Sequence, residues 1–328
     1  MRSSIWMLVV GMALGLAAPR LAGAIGHYVP GLPNARDLFV PPPGLYLVNY
    51  TYWYHADTFK DRNGATVDSF TVNIPGQGPR RFSLDTDVDQ LAIVPTLVWA
   101  PAWDFHGVRW AAYAAQGFAN ISLNAAVEAV DVDRTIATEW GAADVFVQPI
   151  WLQWSPLTRL DAMFGYGFYA PTGRYDLGAD TNTGLGYWTQ QLQAGAAIHA
   201  DEAKTLSLLM VSTWELNSAV QDQDIDPGNR FTLNWTLSKI WLDGFLETAI
   251  VGYDQWQMAA NTGRDVLPIR QGALDAIHAA GLQLGVPKLG LSLKYLHEFA
   301  AKARFQGSVL TFTFTVPIDM LIEAAGAL

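Results

Sequence analysis

Residues 231–238 alternate strictly between apolar and polar side chains, which is the period of a β-strand with one apolar face. The apolar positions are Phe231, Leu233, Trp235 and Leu237, and the polar positions are Thr232, Asn234, Thr236 and Ser238. Asp243-Gly244 follows, a pair that favours a two-residue hairpin turn. Residues 245–252 have the composition of a return strand. This pattern predicts an antiparallel β-hairpin.

The same pattern recurs along the chain, with short turns and long polar loops in alternation. We predict about twelve strands, an even number, as in a transmembrane antiparallel β-barrel. The predicted strands are residues 45–54, 88–99, 108–118, 142–154, 159–169, 189–199, 205–216, 231–238, 245–252, 273–284, 289–299 and 305–317. The predicted fold class is therefore all-β, with the barrel spanning residues 45–317.

The tryptophans favour the same fold, because membrane barrels place aromatic side chains in two interfacial girdles. If odd-numbered strands run outward, one girdle lies at the periplasmic strand ends and the other at the outer ends. The periplasmic set is Trp99, Trp103, Trp110, Trp151, Trp154 and Trp241, and the outer set is Trp53, Trp140, Trp188, Trp214 and Trp256. Trp235 falls towards the middle of its strand.

Two features do not fit simple alternation. Pro95 and Pro149 lie inside predicted strands, where each removes a ladder hydrogen bond, so we expect a local bulge at each. Predicted strands three and ten are so rich in alanine that neither face is clearly apolar. Which face of these two strands points inward stays open.

The two termini differ from the barrel in composition. Residues 1–24 combine an early cation, a short apolar run and a small-residue site at Ala22-Gly23-Ala24, which predicts a secretory signal peptide. Residues 25–44 are rich in glycine and proline and are a candidate plug for the barrel. Residues 318–328 form a C-terminal tail after the last strand.

Composition excludes several classes of protein. The chain is 51% hydrophobic, yet after the signal peptide it lacks the run of about 18 apolar residues that a transmembrane helix needs. It has no cysteine, which excludes disulfides and thiolate metal sites. The net charge of −10 argues against a nucleic-acid partner. We predict no cofactor.

The polar faces of the strands supply the candidate lumen-lining residues. These are Thr232, Asn234, Thr236, Ser238, Thr311, Thr313, Thr315, Lys294 and Glu298. Inward charges in a barrel usually pair with one another across the lumen, and they can also narrow or select the passage. Pairing is the favoured interpretation for Lys294 and Glu298.

Two further patterns have a chemical and a simpler interpretation. One pattern is the spacing of Asp222, Asp224 and Asp226, which can wrap Ca²⁺. The distal glutamate of an EF-hand loop is missing. A solvated acidic loop, or a weak divalent contact to lipopolysaccharide phosphate, is therefore favoured. Ser292 or Ser308 could approach His297, but a hydrolase site is recognised by geometry rather than by sequence. We therefore predict no enzymatic activity.

Short motifs resemble a known family. They lie at residues 41–46 (PPPGLY), 170–175 (APTGRY), 182–184 (NTG), 186–188 (GYW) and 304–307 (RFQG). The chain resembles outer-membrane proteins of the phenol meta-cleavage pathway over nearly its whole mature length. The resemblance implies an exported β-barrel associated with the breakdown of aromatic or other hydrophobic compounds. The tail after Pro317 departs from the usual aromatic end that the barrel assembly machinery recognises.

The sequence and the resemblance together suggest a function. We expect a bacterial outer-membrane channel for passive uptake of small hydrophobic, including aromatic, compounds that feed a catabolic pathway. Its expected partners are the lipid bilayer, lipopolysaccharide, the barrel assembly machinery and a small hydrophobic solute. The alternative is a barrel without transport activity that binds at the cell surface or has a structural role.

Overall fold

The structure is a computed structural model that describes residues 26–74, 78–83, 85–127, 132–137, 140–177, 182–266 and 270–319. The predicted signal peptide, residues 1–24, lies outside the described residues, as does most of the predicted tail, residues 318–328. These ranges contain no helix of the length and hydropathy needed to cross a membrane.

The described residues form almost entirely β-structure. The strands are β1 (Gly44–Phe59), β2 (Ser69–Ile74), β3 (Gly78–Ser83), β4 (Asp85–Ala100), β5 (Asp104–Phe105), β6 (Val108–Ala115), β7 (Phe118–Val127), β8 (Val132–Ala137), β9 (Gly141–Ala142), β10 (Val145–Leu157), β11 (Leu160–Ala170), β12 (Thr189–His199), β13 (Leu206–Asn217), β14 (Arg230–Trp241), β15 (Leu246–Gln257), β16 (Ala276–Val286), β17 (Leu291–Lys302) and β18 (Phe305–Pro317). Short 3₁₀ turns lie at Ala35–Leu38, Leu242–Gly244 and Pro287–Leu289.

The strands close into a ring. β18 pairs with β1, β1 with β4, β4 with β6, β6 with β10, and each strand from β10 to β18 with its successor, always antiparallel. Within the described residues this is a closed antiparallel barrel of 12 strands, so the sequence prediction is confirmed. Closure leaves no sheet edge in the membrane, where an unpaired backbone group would cost several kcal/mol.

Several strands are longer than predicted. β1 and β4 each have 16 residues, more than the roughly 10 that a tilted strand needs to cross a bilayer. β7 continues β6 against β4 and also pairs with β8 and β9. The region between the first two predicted strands therefore begins and ends as paired strand and also contains the β2–β3 hairpin. Cross-strand hydrogen bonds continue beyond the apolar band because they do not depend on contact with lipid.

Side chains alternate between an outward apolar face and an inward face. In β17, Leu293 and Tyr295 are 47% and 49% exposed on the outside, whereas Lys294 and Leu296 are each 1% exposed on the inside. The same alternation in β14 places Leu237 outward, beside Leu208 and Ile250 on the neighbouring strands. The outward face supplies the apolar band that contacts lipid.

The two prolines within strands have different effects. At Pro149 the register of β10 shifts against both neighbours, which is the expected bulge. The bulge changes the alternation, so Gln148 and Trp151 are both buried on the inner side. At Pro95 the register with β1 is unchanged, and the bulge prediction is wrong there. Instead, strand pairing breaks between β6 and β7, where Gln116 donates its backbone N–H to Pro95 O at 3.1 Å.

The tryptophans largely occupy the outer surface. Trp99, Trp103 and Trp241 are about half exposed or more at the short-turn end, and Trp53 is 47% exposed towards the long loops. Trp151 departs from the predicted girdle because the bulge turns it inward, where it is 6% exposed.

The hairpin at Asp243-Gly244 exists, but its turn is longer than predicted. β14 and β15 pair up to Trp241 and Leu246, which leaves four connecting residues. The Trp241 indole donates to Thr248 Oγ1 at 2.9 Å and thereby holds the last strand pair together. Leu242 and Asp243 adopt positive φ angles of 52° and 53° in this turn.

We predict that an arginine is tolerated very differently on the two faces of β14. Leu237→Arg places a cation on the lipid face and should cost roughly 2 to 4 kcal/mol. Thr236→Arg, one residue away, points into the lumen cavity and should assemble. The measurement is the fraction of each variant that migrates as folded barrel in SDS without heating. Equal assembly of both variants would contradict the facing seen here.

Candidate functional site

Residues 26–43, which we call the lumen segment, lie inside the barrel. Near its start, His27 Nε2 lies 2.8 Å from Asp144 Oδ2, close to the long loops. Near its end, Val40 donates its backbone N–H to Gln153 Oε1 at 2.7 Å, close to the short turns. The lumen segment therefore runs from the long-loop end to the short-turn end of the lumen, where β1 begins. By the usual asymmetry of loop lengths, these ends are extracellular and periplasmic.

Inward side chains bind the backbone amides of the lumen segment. Four backbone N–H groups donate to side-chain oxygens at distances between 2.7 and 3.3 Å. Tyr28 donates to Glu215, Gly31 to Asn234, Ala35 to Gln283 and Val40 to Gln153. Each contact satisfies a donor that would cost about 1 to 3 kcal/mol if it were buried alone.

Lys294 acts as a hydrogen-bond donor to the carbonyl groups of the lumen segment. Its ammonium donates to the carbonyl oxygens of Leu32 at 3.0 Å and Pro33 at 2.7 Å. The expected pair with Glu298 is not formed, because Glu298 accepts the hydroxyl of Tyr253 at 2.6 Å instead. Lys294 thus hydrogen-bonds to peptide carbonyls of the lumen segment and not to the Glu298 carboxylate.

The 3₁₀ turn Ala35–Leu38 is fixed by charged side chains. Arg36 Nε donates to Glu247 Oε1 at 2.9 Å, and Glu247 is buried on β15. On the other side of the turn, the Tyr50 hydroxyl donates to Asp37 Oδ2 at 2.7 Å. These contacts attach the turn to two separate parts of the barrel wall, β15 and β1.

Apolar side chains of the lumen segment pack into two clusters on the barrel wall. Val29 and Leu32 contact a cluster that includes Tyr253 and Leu296. Leu38 and Val40 belong to a second cluster, which includes buried residues of β1, β4, β6, β10, β11, β12 and β13. Burial of these side chains adds hydrophobic stabilisation to the polar contacts of the segment.

A cavity of about 760 Å³ remains beside the lumen segment. One wall of the cavity is apolar and aromatic and is built by β1, β4, β6 and β7. Its residues include Tyr46, Val48, Tyr50, Ala92, Val94, Val98, Tyr113, Ala115 and Ala119. Tyr46, Val48 and Tyr50 occupy alternate positions of β1, but no pattern in the sequence indicates that this face lines a cavity.

The opposite wall of the lumen is polar and closely packed. Its buried side chains on β10 and β12 to β15 include Gln148, Gln191, Gln193, Thr213, Thr232 and Gln255. Gln255 donates to Thr232 Oγ1 at 3.0 Å, and Gln193 donates to Thr213 Oγ1 at 3.3 Å. Gln148, Gln191 and Gln193 also line the cavity, so the cavity has one apolar, aromatic side and one polar side.

The structure places the nine candidate lumen residues on the inner face. Thr236 and Thr315 line the cavity, and Asn234 binds the lumen segment. Ser238 accepts from Arg36 at 3.1 Å. Thr232, Thr311, Thr313, Lys294 and Glu298 are each at most 2% exposed. Most of these side chains hold the barrel wall or the segment, and the free cavity lies mainly on the other wall.

The acidic loop at Asp222, Asp224 and Asp226 is arranged by contacts within the protein. Arg264 hydrogen-bonds to the Asp224 carboxylate and lowers its pKa. Asp226 forms a backbone bridge with Thr262. No group of three metal-binding side chains occurs in the part of the chain that the structure describes.

The structure brings His297 and Ser308 together but not as a catalytic site. His297 Nδ1 lies 3.1 Å from Ser308 Oγ, and the Tyr295 hydroxyl also lies 3.1 Å from that oxygen. The pair is on the outward face of β17 and β18. Across the described residues, no carboxylate hydrogen-bonds to His297 to orient it, as the third member of a triad would. Ser292 is on the inner face and is remote from this pair.

A comparison with protein families identifies the chain. The family model described as "Putative MetA-pathway of phenol degradation" matches residues 56–314. The chain belongs to this family. The resemblance seen in the sequence motifs is therefore confirmed. A search of curated proteins gave no match for this family member.

Solved structures support the fold of this family member. The COG4313 outer membrane channel from Pseudomonas putida F1 superposes with a TM-score of 0.70 and 15% identity, over 87% of this chain and 100% of that chain. The translocator domain of autotransporter NalP from Neisseria meningitidis gives 0.47 and 12% identity, over 86% and 91% of the two chains. The first score supports the barrel fold, and the second is too low to support an inference. The closed barrel places the protein in the bacterial outer membrane.

We predict that Lys294→Met loosens the lumen segment. The substitution removes two hydrogen bonds from a charged donor and should weaken docking by about 2 kcal/mol, which corresponds to roughly 30-fold faster local opening. Hydrogen–deuterium exchange of peptides covering residues 31–40 measures this directly. Lys288→Met, in an exposed turn, is the matched control and should leave exchange unchanged. Unchanged exchange in Lys294→Met would show that these contacts do not hold the segment.

Proposed function

We propose that this protein is an outer-membrane channel for passive entry of small hydrophobic molecules, aromatic compounds among them. The observation that carries the proposal is the continuous apolar and aromatic wall beside the lumen segment. An apolar molecule gains free energy on leaving water for such a wall, whereas a charged solute would lose its hydration there. Membership of a family named for phenol degradation supports the same class of solute.

The size of the cavity fits this class. Pockets that enclose small organic ligands usually measure about 300 to 1,000 Å³, and the cavity here is about 760 Å³. Twelve strands give a lumen wider than that of an eight-stranded barrel, which side chains can fill, and narrower than that of the aqueous porins. A compound with a single ring fits this space without displacing the lumen segment.

The second candidate is a barrel without transport activity. The extensive contacts of the lumen segment favour it, because hydrogen bonds and apolar packing along residues 26–43 fill much of the lumen. Under that interpretation the segment stabilises the barrel permanently, and the long loops carry the function. The following two experiments separate the two candidates.

We predict that Ala92→Trp slows entry of aromatic compounds. Ala92 is 7% exposed and lines the cavity, so an indole there fills the free space. Leu91→Trp is the matched control, because Leu91 is on the lipid face and 39% exposed. The measurement is the initial uptake rate of a labelled monocyclic aromatic compound at low concentration. The assay uses intact cells in which the only copy of the gene encodes the variant.

The channel proposal requires a marked loss of uptake in Ala92→Trp and little change in Leu91→Trp. Low concentration matters because a passive channel changes permeability and not equilibrium. If the cavity variant and complete deletion of the gene both leave uptake unchanged, the barrel without transport activity is the better assignment.

We also predict that removal of residues 26–43, with the signal peptide kept, opens the lumen. The segment contributes no strand to the ring, so the barrel should still assemble and still shift on heating in SDS. Water then solvates the inward charges, and the empty lumen should conduct ions. Single-channel conductance in planar bilayers measures this. A deletion variant that assembles but conducts no more than the intact protein would contradict the assignment of the segment as a plug.

A further inference from the structure

Aromatic rings form a continuous row along the cavity. We call Trp151, Tyr113, Phe146, Tyr169 and His27 the aromatic row, in the order in which they contact one another. The ring centroids of successive members lie 5.8, 5.5, 4.4 and 4.7 Å apart. Spacings of this size are those of direct contact between aromatic side chains. Every member also lines the cavity, so the cavity is bordered by an uninterrupted run of rings.

The aromatic row runs from the extracellular end of the lumen towards its centre. His27 and Tyr169 lie near the long loops, since Tyr169 is the penultimate residue of β11. Trp151 lies at the middle of β10. Beyond Trp151 the cavity continues beside apolar side chains such as Leu38 and Val48, which belong to the second packed cluster. A solute in the outer half of the cavity therefore lies beside the rings.

Neighbouring groups hold the rings of the aromatic row in place. The Tyr113 hydroxyl donates to Gln148 Oε1 at 3.1 Å. A Cβ at Gly167 would lie 2.6 Å from the Phe146 ring, so glycine at this inward position of β11 lets the ring pack against the backbone. Both ring nitrogens of His27 are hydrogen-bonded. The rings are therefore preorganised, and a solute does not have to order them when it binds.

We propose that the aromatic row is a binding track for planar aromatic rings and makes the channel prefer them to saturated rings of the same size. The proposal rests on the channel function proposed above and names the class of solute that the channel favours. Aromatic pairs gain free energy beyond the burial of area, because their quadrupoles attract in offset-stacked and edge-to-face arrangements. A puckered saturated ring has a similar apolar area but lacks this interaction.

The orientations of the rings provide both arrangements. Tyr169 and His27 are stacked, with an interplanar angle of 21°, whereas Trp151 and Tyr113 meet edge to face at 80°. The longest step between centroids is 5.8 Å, which is comparable to the width of a phenyl ring. A bound ring therefore reaches the next member of the row before it loses contact with the last. Several weak sites in succession let a solute enter and also leave, as conduction requires.

Hydrophobic burial alone predicts the opposite preference. A saturated ring is less soluble in water than an aromatic ring with the same number of carbons, because the π-electrons of the aromatic ring interact favourably with water. A cavity that only replaces water by apolar surface therefore binds the saturated analogue more tightly. A preference for the aromatic analogue identifies the rings of the protein as its cause.

The first test compares ethyl benzoate with ethyl cyclohexanecarboxylate, which differ only in the saturation of the ring. Purified protein in lipid nanodiscs is dialysed to equilibrium against each labelled ester, and empty nanodiscs measure partition into lipid. The protein should bind ethyl benzoate about fivefold more tightly, which corresponds to about 1 kcal/mol, whereas empty nanodiscs should take up more of the saturated ester. Equal binding of the two esters by the unaltered protein, or tighter binding of the saturated one, would overturn the proposal.

Substitutions within the aromatic row test whether the rings cause the preference. Phe146→Leu keeps the site apolar but removes one ring, so affinity for ethyl benzoate should fall roughly threefold, with little change for the saturated ester. Tyr169→Leu removes the next ring and should act in the same way. Phe164→Leu is the matched control, because Phe164 is on the lipid face and 38% exposed. Heating-dependent migration in SDS verifies that each variant is folded.

Binding at equilibrium and uptake by cells are separate measurements, so the binding track and the channel function can fail independently. If Phe146→Leu and Tyr169→Leu both keep the full preference for ethyl benzoate, the rings only pack the barrel wall. The track is then wrong even if Ala92→Trp blocks uptake. If deletion of the gene leaves uptake unchanged but the preference depends on these two rings, the row binds aromatic solutes and the channel function is wrong.

Discussion

A peptide can stay inside a barrel only if its backbone amides and carbonyls find partners there. The lumen segment has few internal hydrogen bonds, since apart from one 3₁₀ turn it is irregular. Glu215, Asn234 and Gln283 therefore act as acceptors along its length. Lys294 and Arg109 act as donors to its carbonyl oxygens. This requirement explains why charged and amide side chains of the lumen are almost completely buried. They replace the strand partner that the segment lacks.

Space for the segment comes from small inward residues. On β6 and β7, Ala111 and Ala119 are buried on the inner face, and on β16 Ala279 is 1% exposed. A Cβ at Gly281 of β16 would lie within 1.8 Å of Tyr295 O on the next strand, so glycine allows close strand packing there. Larger side chains at the alanines would occupy the lumen themselves. Predicted strands three and ten are thus rich in alanine because the barrel holds the lumen segment. The same alanine content left the inward face of these strands open in the sequence analysis.

The lumen is divided because the wall strands differ in composition. β1 and β4 contribute tyrosine, valine and alanine, whereas β12 to β15 contribute glutamine, threonine and charged residues. The bulge at Pro149 adds Trp151 to the apolar cluster on β10. The lumen segment satisfies its polar groups mainly on the polar wall, and the apolar wall stays open to the free cavity. Binding of the segment and an apolar path can therefore coexist in one narrow barrel.

The sequence alone determined the architecture, because strand period and turn spacing are local properties of the chain. Alternation at residues 231–238 and the even number of strands led to a closed antiparallel barrel, and family motifs led to the outer membrane. Tertiary structure decided what each inward residue does. Lys294 binds the carbonyl of Leu32, 262 residues away in sequence, and no local pattern indicates such a partner. The bulge at Pro149 and the unbroken register at Pro95 likewise depend on neighbouring strands. Proline removes the backbone N–H donor at both sites, but the neighbouring strand residues opposite the two prolines differ. Closure of the barrel decides which residues these are.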